Sequence, residues 1–487
     1  MKLDRLLEAL RERGQLVEVI GTPPEVFEKV EYDSRSVSSG SLFVAVEGTS
    51  VDGHDFLDDA LTAGAATVMV SHRCAIDLPQ IVVRDPRIGA ALSARELHQA
   101  PVDDMCLVGI TGTNGKSTTT AYLRHLMNVD GTAGAIGTLG TVDGDGLFLP
   151  DSSKLTTPDP LSLHKSLGEL YNRGVRTVAM EVSSHSLDQK RVAGIGFRAG
   201  VYTNIAHEHL DYHRDLADYL DAKLSLSNYI DEGGVEVVNA DVPTWSALPS
   251  RAFRRVSYGT AANTDVCAVD IDLRVDGTSF TLVIDGSAQR VDCRFIGEFN
   301  VSNALAAAAA AWSLGNSPEA IAARLHTVPI IPGRMEILYS GRWIVLRDYA
   351  HTPDAYRRVL GTLRDATPGR LLILFGCGGD RDRKKRPEMG RTAGQLSDLV
   401  ILTTDNPRTE DTEQIFQDVE QGLEGIAHLR IDDRAEAITR AVHMLDEGDT
   451  LLLAGKGHED YQLIGAKRIP FDEVAVVNKA LASRAAS

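Results

Sequence analysis

The sequence predicts an α/β protein of three domains: a small N-terminal α/β domain, a central phosphate-loop domain flanked by a layer of β-hairpins, and a C-terminal doubly wound, Rossmann-like domain. Three observations carry this expectation. Residues 107–120, LVGITGTNGKSTTT, run from an apolar strand through a glycine turn into a helical pattern. Residues 343–454 alternate short apolar strands with helices, the pattern of a parallel sheet covered on both faces. A chain of 487 residues exceeds one ordinary core, and roughly three domains follow from the usual size of about 100 to 200 residues each. The boundaries are placed at 1–101, 102–332 and 333–487.

In the first domain, MKLDRLLEALRERG reads as an amphipathic helix carrying acids and bases, unlike a secretory leader. Strands follow at 41–46, 66–71 and 80–83, with helices at 54–64 and 86–99. The polar stretches Tyr32-Asp33-Ser34-Arg35 and 47–54 read, on composition alone, as turns that Asp, Ser and Gly make unaided. A proline and two aspartates at 101–106 mark a linker.

The central domain opens on the phosphate loop. Gly112, Thr113, Asn114, Gly115, Lys116, Ser117 and Thr118 would wrap a nucleotide triphosphate, because backbone N–H groups and the positive end of the following helix face the anion. Lys116 would neutralise the β- and γ-phosphates and Ser117 would hold a Mg²⁺, with ATP the expected ligand. Ile110 stands where the common spacing has its first glycine, so this is a tighter variant.

A β-rich segment, 132–149, a Thr156-Thr157-Pro158 break and a helix over 161–173 come next. The buried strand 175–182 ends near Glu181, whose carboxylate either points into the crevice to share the Mg²⁺ or simply ends a strand. The run TNIAHEHLDYH at 203–213 reads as a metal site or as exposed loop histidines. Lys223, on a helix over 215–230, has no local feature separating it from a solvated lysine. Residues 265–295 alternate in period two as hairpins, and 304–311 is a tightly packed alanine helix.

Two prolines and a glycine at 328–334 end this region. Strands are then expected at 343–348, 370–376, 399–403 and 450–454, and helices at 353–366, 387–397, 411–423 and 433–446. Three loops at strand ends combine glycine with charge: FGCGGDRD, TDNPR and AGKGHED. Binding loops of such folds gather there, and one ligand site built by all three is the economical inference. The basic cluster Arg381, Arg383, Lys384, Lys385 and Arg386 would bind phosphate or carboxylate locally.

Composition excludes other classes. A net charge of −18, from 68 acidic against 50 basic residues, argues against nonspecific nucleic-acid binding. Five cysteines without a C-x-x-C pair indicate neither zinc nor a disulfide framework. No apolar run approaches the roughly 20 residues needed to span a bilayer, so a cytoplasmic protein is expected. A monomer is expected as well.

The phosphate loop TGTNGKS, together with EVSSHSLDQKR, TNIAHEHLDYH, GEFNVSNALAA, PGRME, DYAHTPDA, GCGGDRD, DNPRTED and GKGHEDYQ, resembles the Mur ligases across essentially the whole chain. The resemblance implies domains for a uridine nucleotide, for ATP and for an incoming amino acid. It implies that Ser34, Thr49, Ser50 and Val51 contact the UDP part, reversing the turn-only reading. Thr156, Thr157, Ser183, Gln189 and Arg191 would hold a UDP-MurNAc-dipeptide. Lys223 would carry a CO2-derived carbamate and, with Ser117, Glu181 and His209, bind Mg²⁺; a ligand role for His207 would shift that site by two residues. Asn300, Arg334, Asp348 and His351 would contact ATP.

The implied chemistry is attack of the dipeptide's carboxylate on the γ-phosphate, then displacement of phosphate from the acyl phosphate by an amine. Arg381, Asp405, Asn406, Pro407, Arg408, Gly455 and Glu459 would bind that amino acid. A guanidinium at Arg408 suits a carboxylate and opposes the ammonium end of lysine, so meso-diaminopimelate is expected ahead of L-lysine. The rivals are another carboxylate–amine ligase of the folylpolyglutamate synthetase type and a nucleotide-driven switch or motor.

Overall fold

A computed structural model of the chain describes all residues except Thr49, Ser50, Ala100, Asp151, Ser152, Lys154, His207, Leu210, Asp211, Ala252, Ala262, Val275, Asp276, Ala486 and Ser487. Two expected nucleotide contacts, Thr49 and Ser50, and the alternative ligand His207 lie outside the described residues. The chain forms two compact units, Met1–Ser257 with Ala309–Gly315, and Tyr258–Ala308 with Asn316–Ser487.

The first unit holds a five-stranded sheet in the order Leu16–Ile20, Gln80–Val83, Thr67–Val70, Leu42–Val44, Val30–Glu31, parallel except for the first strand. Helix Leu3–Glu12 packs by Leu6, Leu7 and Leu10, which its period places on one face. Helix Pro86–His98 starts at a proline, with Asp85 accepting from the Arg87 N–H as its cap. Strand Leu16–Ile20 was not legible in the sequence: Val17 and Val19 are exposed, so it lacks the buried alternation that marks a strand.

The same unit contains strands ordered Ile230–Asn239, Phe197–Tyr202, Cys106–Thr111, Thr177–Glu181, Ala133–Gly137, Gly140–Val142, parallel except the last. Cys106–Thr111 sits between two parallel neighbours and is buried along most of its length, which explains its continuous apolar run. Helix Lys116–Met127 begins two residues before Thr118, where the sequence pattern starts the helix, because Gly115, at φ 85°, turns the chain directly into it.

In the second unit, Val266–Arg274, Gly277–Ile284 and Ser287–Cys293 form the antiparallel layer that their period-two pattern predicts. A six-stranded sheet runs Glu336–Ser340, Ile344–Asp348, Thr450–Ala454, Leu371–Phe375, Leu399–Leu402, His428–Arg430, parallel except for the first strand. Its two faces are covered separately. Leu371, Ile373 and Phe375 pack with helices Pro353–Ala366, Lys385–Leu396 and Thr412–Glu420, whereas Leu372 and Leu374 pack with Arg434–His443 and Glu473–Ala485. The doubly wound expectation holds. The hairpin Tyr461–Ile464 with Lys467–Pro470, absent from the sequence reading, borders the third glycine loop. Among the described residues no helix is long and apolar enough to cross a membrane.

Candidate active site

The phosphate loop is held by a partner that sequence reasoning missed. Asn204 accepts from the Thr113 N–H through its carbonyl (2.8 Å) and from the Asn114 N–H through Oδ1 (2.9 Å), and Thr203 Oγ1 donates to Asn114 O (2.8 Å). A Cβ on Gly112, at φ 147°, would lie 1.9 Å from Thr203 Oγ1, so only glycine lets the two loops approach this closely. Thr118 is buried in the first helical turn behind the loop. The clamp was hidden inside the histidine-rich motif, where the histidines drew attention from the Thr-Asn pair.

Two lysines converge on one carbonyl. Lys116 Nζ donates to Gly112 O and Thr113 O, both at 2.9 Å, and Lys223 Nζ donates to Gly112 O at 2.8 Å. Lys223 is 1% exposed; burial first and the Lys116 charge second hold its amine well below the usual lysine range, against an opposing pull from Glu208. The solvated-lysine reading of Lys223 is therefore corrected. A helix lysine can be buried when a loop distant in sequence supplies its acceptor.

Glu181 ends its strand pointing at the loop, as expected. Its Oε2 accepts from Ser117 Oγ at 3.0 Å and from Thr138 Oγ1 at 3.2 Å, and its Oε1 from the Thr138 N–H at 2.7 Å. Ser117 and Glu181 thus present hard oxygen donors side by side, the chemistry Mg²⁺ prefers. His209, at φ 58°, lies 3.8 Å from Glu208 and sets its ring 6.1 Å from that of Tyr219, while Lys223 sits 4.5 Å over the same tyrosine ring. So two of the four expected ligands bond directly and the other two share Tyr219, whose hydroxyl pairs with Thr113 Oγ1 at 2.9 Å.

The residues expected to hold the dipeptide form one network with that pair. Thr156 Oγ1 lies 3.1 Å from Thr138 Oγ1, which can accept from it while donating to Glu181; Thr157 Oγ1 donates to Glu181 O (2.9 Å) and accepts from the Ser183 N–H (3.0 Å). Arg191 donates to Thr157 O (2.9 Å) and to Gln189 Oε1 (2.7 and 3.0 Å). Ser34 starts a short helical turn capped by Asp33, and burial, then the Asp159 carboxylate, pushes the neighbouring Tyr32 hydroxyl well above its usual range while Arg191 opposes the rise. Val51 is exposed. Thr138, which joins the two halves of this network, carried no sequence signal beyond a Gly-Thr-Leu-Gly turn.

The second unit holds the remaining residues, Asp348 at a strand end and Asn300 in helix Glu298–Ser313. Asp348 is buried and accepts from the Met335 and Ala350 N–H groups, both at 2.7 Å; burial raises its carboxyl above the usual range and Arg334 opposes the rise. Arg334 lies 4.7 Å over the Tyr349 ring, and His351 Nδ1 is 2.8 Å from Tyr349 O. Asn300 is buried, its amide donating to Ile296 O. Beside Asp348 stands the third glycine loop, with the Gly455 N–H donating to Asp348 O at 3.1 Å.

The three loops do assemble. The Gly379 N–H donates to Asn406 O (2.9 Å), and a Cβ there would meet Pro407 O at 1.9 Å. Arg408, at φ 53°, donates from its backbone to Leu463 O (3.0 Å) and from Nη1 to Gly379 O (2.8 Å). Asn406 Nδ2 donates to Glu459 Oε2 (2.8 Å), and Lys456 Nζ is 3.1 Å from Asp405 Oδ1. Arg381 is exposed on the first loop.

Comparison with known proteins agrees with this arrangement. Residues 110–311 match the Mur ligase middle domain, 333–457 the Mur ligase glutamate ligase domain, and 26–102 the Mur ligase family catalytic domain. The chain is 40% identical over 495 residues to the UDP-N-acetylmuramoyl-L-alanyl-D-glutamate--2,6-diaminopimelate ligase of Geobacillus kaustophilus, covering 99% of this chain and 100% of the relative. It is 41% identical over 493 residues to the protein of the same name from Chlorobaculum tepidum, covering 97% and 96%.

The chain belongs to the Mur ligase family. A solved structure of a ligase of that name is also similar to this Mur ligase, at 33% identity and a TM-score of 0.70, over 96% of this chain and 98% of the other. Within this Mur ligase one sequence expectation is corrected. The basic cluster is not a free anion patch: Arg386 is fully buried against Glu410 (2.7 Å) and Asp418 (2.8 Å), and Arg383 pairs with Asp418 (3.1 Å). Its charge is spent inside the fold because the acidic partners come from a helix and loop more than 20 residues away.

Proposed function

We propose that this Mur ligase uses ATP to join meso-2,6-diaminopimelate to UDP-N-acetylmuramoyl-L-alanyl-D-glutamate through an acyl phosphate, as a cytoplasmic monomer acting on peptidoglycan precursors. The observation that carries the reading is the unbroken path of hydrogen bonds from Ser117 through Glu181 and Thr138 to Thr156, and from Glu181 O through Thr157 to Ser183, Arg191 and Gln189. It ties the phosphate loop to the side chains suited to hold an acidic peptide. The functional division follows the same lines: 1–101 for the uridine nucleotide, 102–332 for ATP and 333–487 for the amino acid.

The chemistry brings two anions together, a carboxylate and a triphosphate. Lys116 leaves its carbonyl acceptors for the phosphates and neutralises the charge that develops there. Burial favours the neutral amine of Lys223, the form that adds CO2 with loss of a proton, and the carbamate would supply an anionic oxygen to join Ser117, Glu181 and His209 as metal ligands. A Mg²⁺ held by these four would supply the charge screening between nucleophile and leaving group. Asn300, Arg334, Asp348 and His351 serve ATP. In the second unit Arg408 takes the distal carboxylate of the amino acid, and Glu459 the distal ammonium, with Arg381, Asp405, Asn406, Pro407 and Gly455 shaping the site.

The test is phosphate release and amide formation with UDP-MurNAc-dipeptide and ATP, adding diaminopimelate, L-lysine, ornithine or no amine. Diaminopimelate should give by far the highest turnover. Equal phosphate release in every mixture refutes the ligase reading, and preference for L-lysine refutes the assignment of the amino acid.

A further inference from the structure

Beneath the amino-acid loops lies a lysine that the proposed reaction does not use. Lys456 is completely buried, and its ammonium has four oxygen neighbours. It donates to Tyr461 O at 2.7 Å and to Asn406 Oδ1 at 3.1 Å. It also stands 3.1 Å from Asp405 Oδ1 and 3.7 Å from Glu459 Oε2. A buried ammonium is strongly unfavourable unless paired. Three of its four contacts are side chains assigned here to the amino acid.

Those contacts have two consequences. Asn406 Oδ1 accepts from both Lys456 Nζ and the Leu463 N–H (3.0 Å), which leaves its Nδ2 to donate to Glu459 Oε2 (2.8 Å) and so determines which way the amide points. The second concerns charge. Asp405 and Glu459 are like charges in a desolvated place, and Asp405 Oδ1 is a buried oxygen that completes no hydrogen bond, although the ammonium is close by. A carboxylate oxygen in that condition suits an incoming ammonium.

We propose that Lys456 is a positioning residue for amino-acid specificity: its buried ammonium orients the Asn406 amide and holds Asp405 and Glu459 together as an anionic pair that receives the amine of the substrate. This rests on the function proposed above. The groups facing Glu459 are Asp405, Lys456, Arg408, Tyr349 and Tyr461. Burial, and after it Asp405, push the Glu459 carboxyl upward, while the Asn406 amide, then Lys456 and Arg408, push it down. Removal of the ammonium therefore raises it further, and the acceptor is lost as pH falls.

The test compares Lys456→Met and Lys456→Gln with the unaltered protein, measuring KM for diaminopimelate, ATP and UDP-MurNAc-dipeptide between pH 6.5 and 9. The amino-acid KM should rise roughly 10- to 100-fold with the ATP KM within about twofold, as for truncation of one partner in a buried charge cluster. In both variants that KM should also climb as pH falls, more steeply than in the unaltered protein. Ethylammonium should partly restore Lys456→Met where ethanol does not. If Lys456→Met fails to fold, Lys456→Gln carries the same comparison. An amino-acid KM within about twofold of the original, or a parallel rise in all three KM values, overturns the inference. Loss of turnover with every amine in the unaltered protein would instead sink the proposed function.

Discussion

The phosphate loop of the first unit and the amino-acid loops of the second treat their cations in opposite ways. At the loop, Lys116 donates to neutral backbone carbonyls. In the second unit Lys456 and Arg386 lie among carboxylates, Asp405 and Glu459 in one case, Glu410 and Asp418 in the other. A cation on a carbonyl is cheaply redirected, since a carbonyl dipole competes poorly with a phosphate. A cation in a carboxylate cluster is committed to the fold, and what remains for a ligand is the surplus negative charge. On the function proposed above, the first site suits an anion and the second an ammonium, with Arg408 to meet a carboxylate.

The comparison breaks most sharply at Lys116. Lys116→Ala should lower kcat roughly 10²- to 10³-fold, the usual loss when one donor to developing charge is removed. The protein's melting temperature should change little, because Gly112 O and Thr113 O that lose the lysine are neutral carbonyls rather than carboxylates. Phosphate release and a thermal melt check both halves, and a large loss of stability with normal turnover would reverse the contrast.

Arg408→Ala tests the other side and should act on binding. The KM for diaminopimelate should rise roughly tenfold or more, as for loss of a charge-assisted pair, while the KM for ATP stays constant. Discrimination against L-lysine should narrow at the same time. An unchanged amino-acid KM would remove the guanidinium from the site.

The smallest effect concerns a group with neither kind of partner. His164, in helix Pro160–Asn172, is buried, neither ring nitrogen has a hydrogen bond, and burial followed by the nearby Arg95 and His98 lowers its pKa from 6.5 to about 3. The unfolded chain takes up this proton near pH 6.5 and the folded chain only near 3, so stability is lost as pH falls through that window. Thermal melts at pH 7 and pH 5 should show a drop that His164→Leu makes smaller. An equal drop in both proteins would place the acid sensitivity elsewhere.

Local pattern was enough for much of this molecule. Strand 106–111, the glycine turn and its helix follow from one continuous stretch, because a buried parallel strand must be apolar and a phosphate turn must be glycine-rich. The doubly wound sheet was equally legible, since each of its major strands and helices carries its own period. Elements without a buried face of their own were not: Leu16–Ile20, Glu336–Ser340, His428–Arg430 and the hairpin at 461–470 are edge strands or ribbons whose exposed positions hide the alternation.

Residue types and their order alone determined the family resemblance, the phosphate loop and the expectation that three glycine loops meet at one site. Only the tertiary structure decided which charges are available. Arg386 read as part of a local anion-binding cluster in the letters and is buried inside the second unit, as is Lys456, and nothing local separated Lys223 from a solvated lysine although it touches Gly112, 111 residues away in sequence. The reason is that a charge is characterised by its partners and its exposure to water, and both are set by segments brought together from afar. Composition counts charges but cannot pair them.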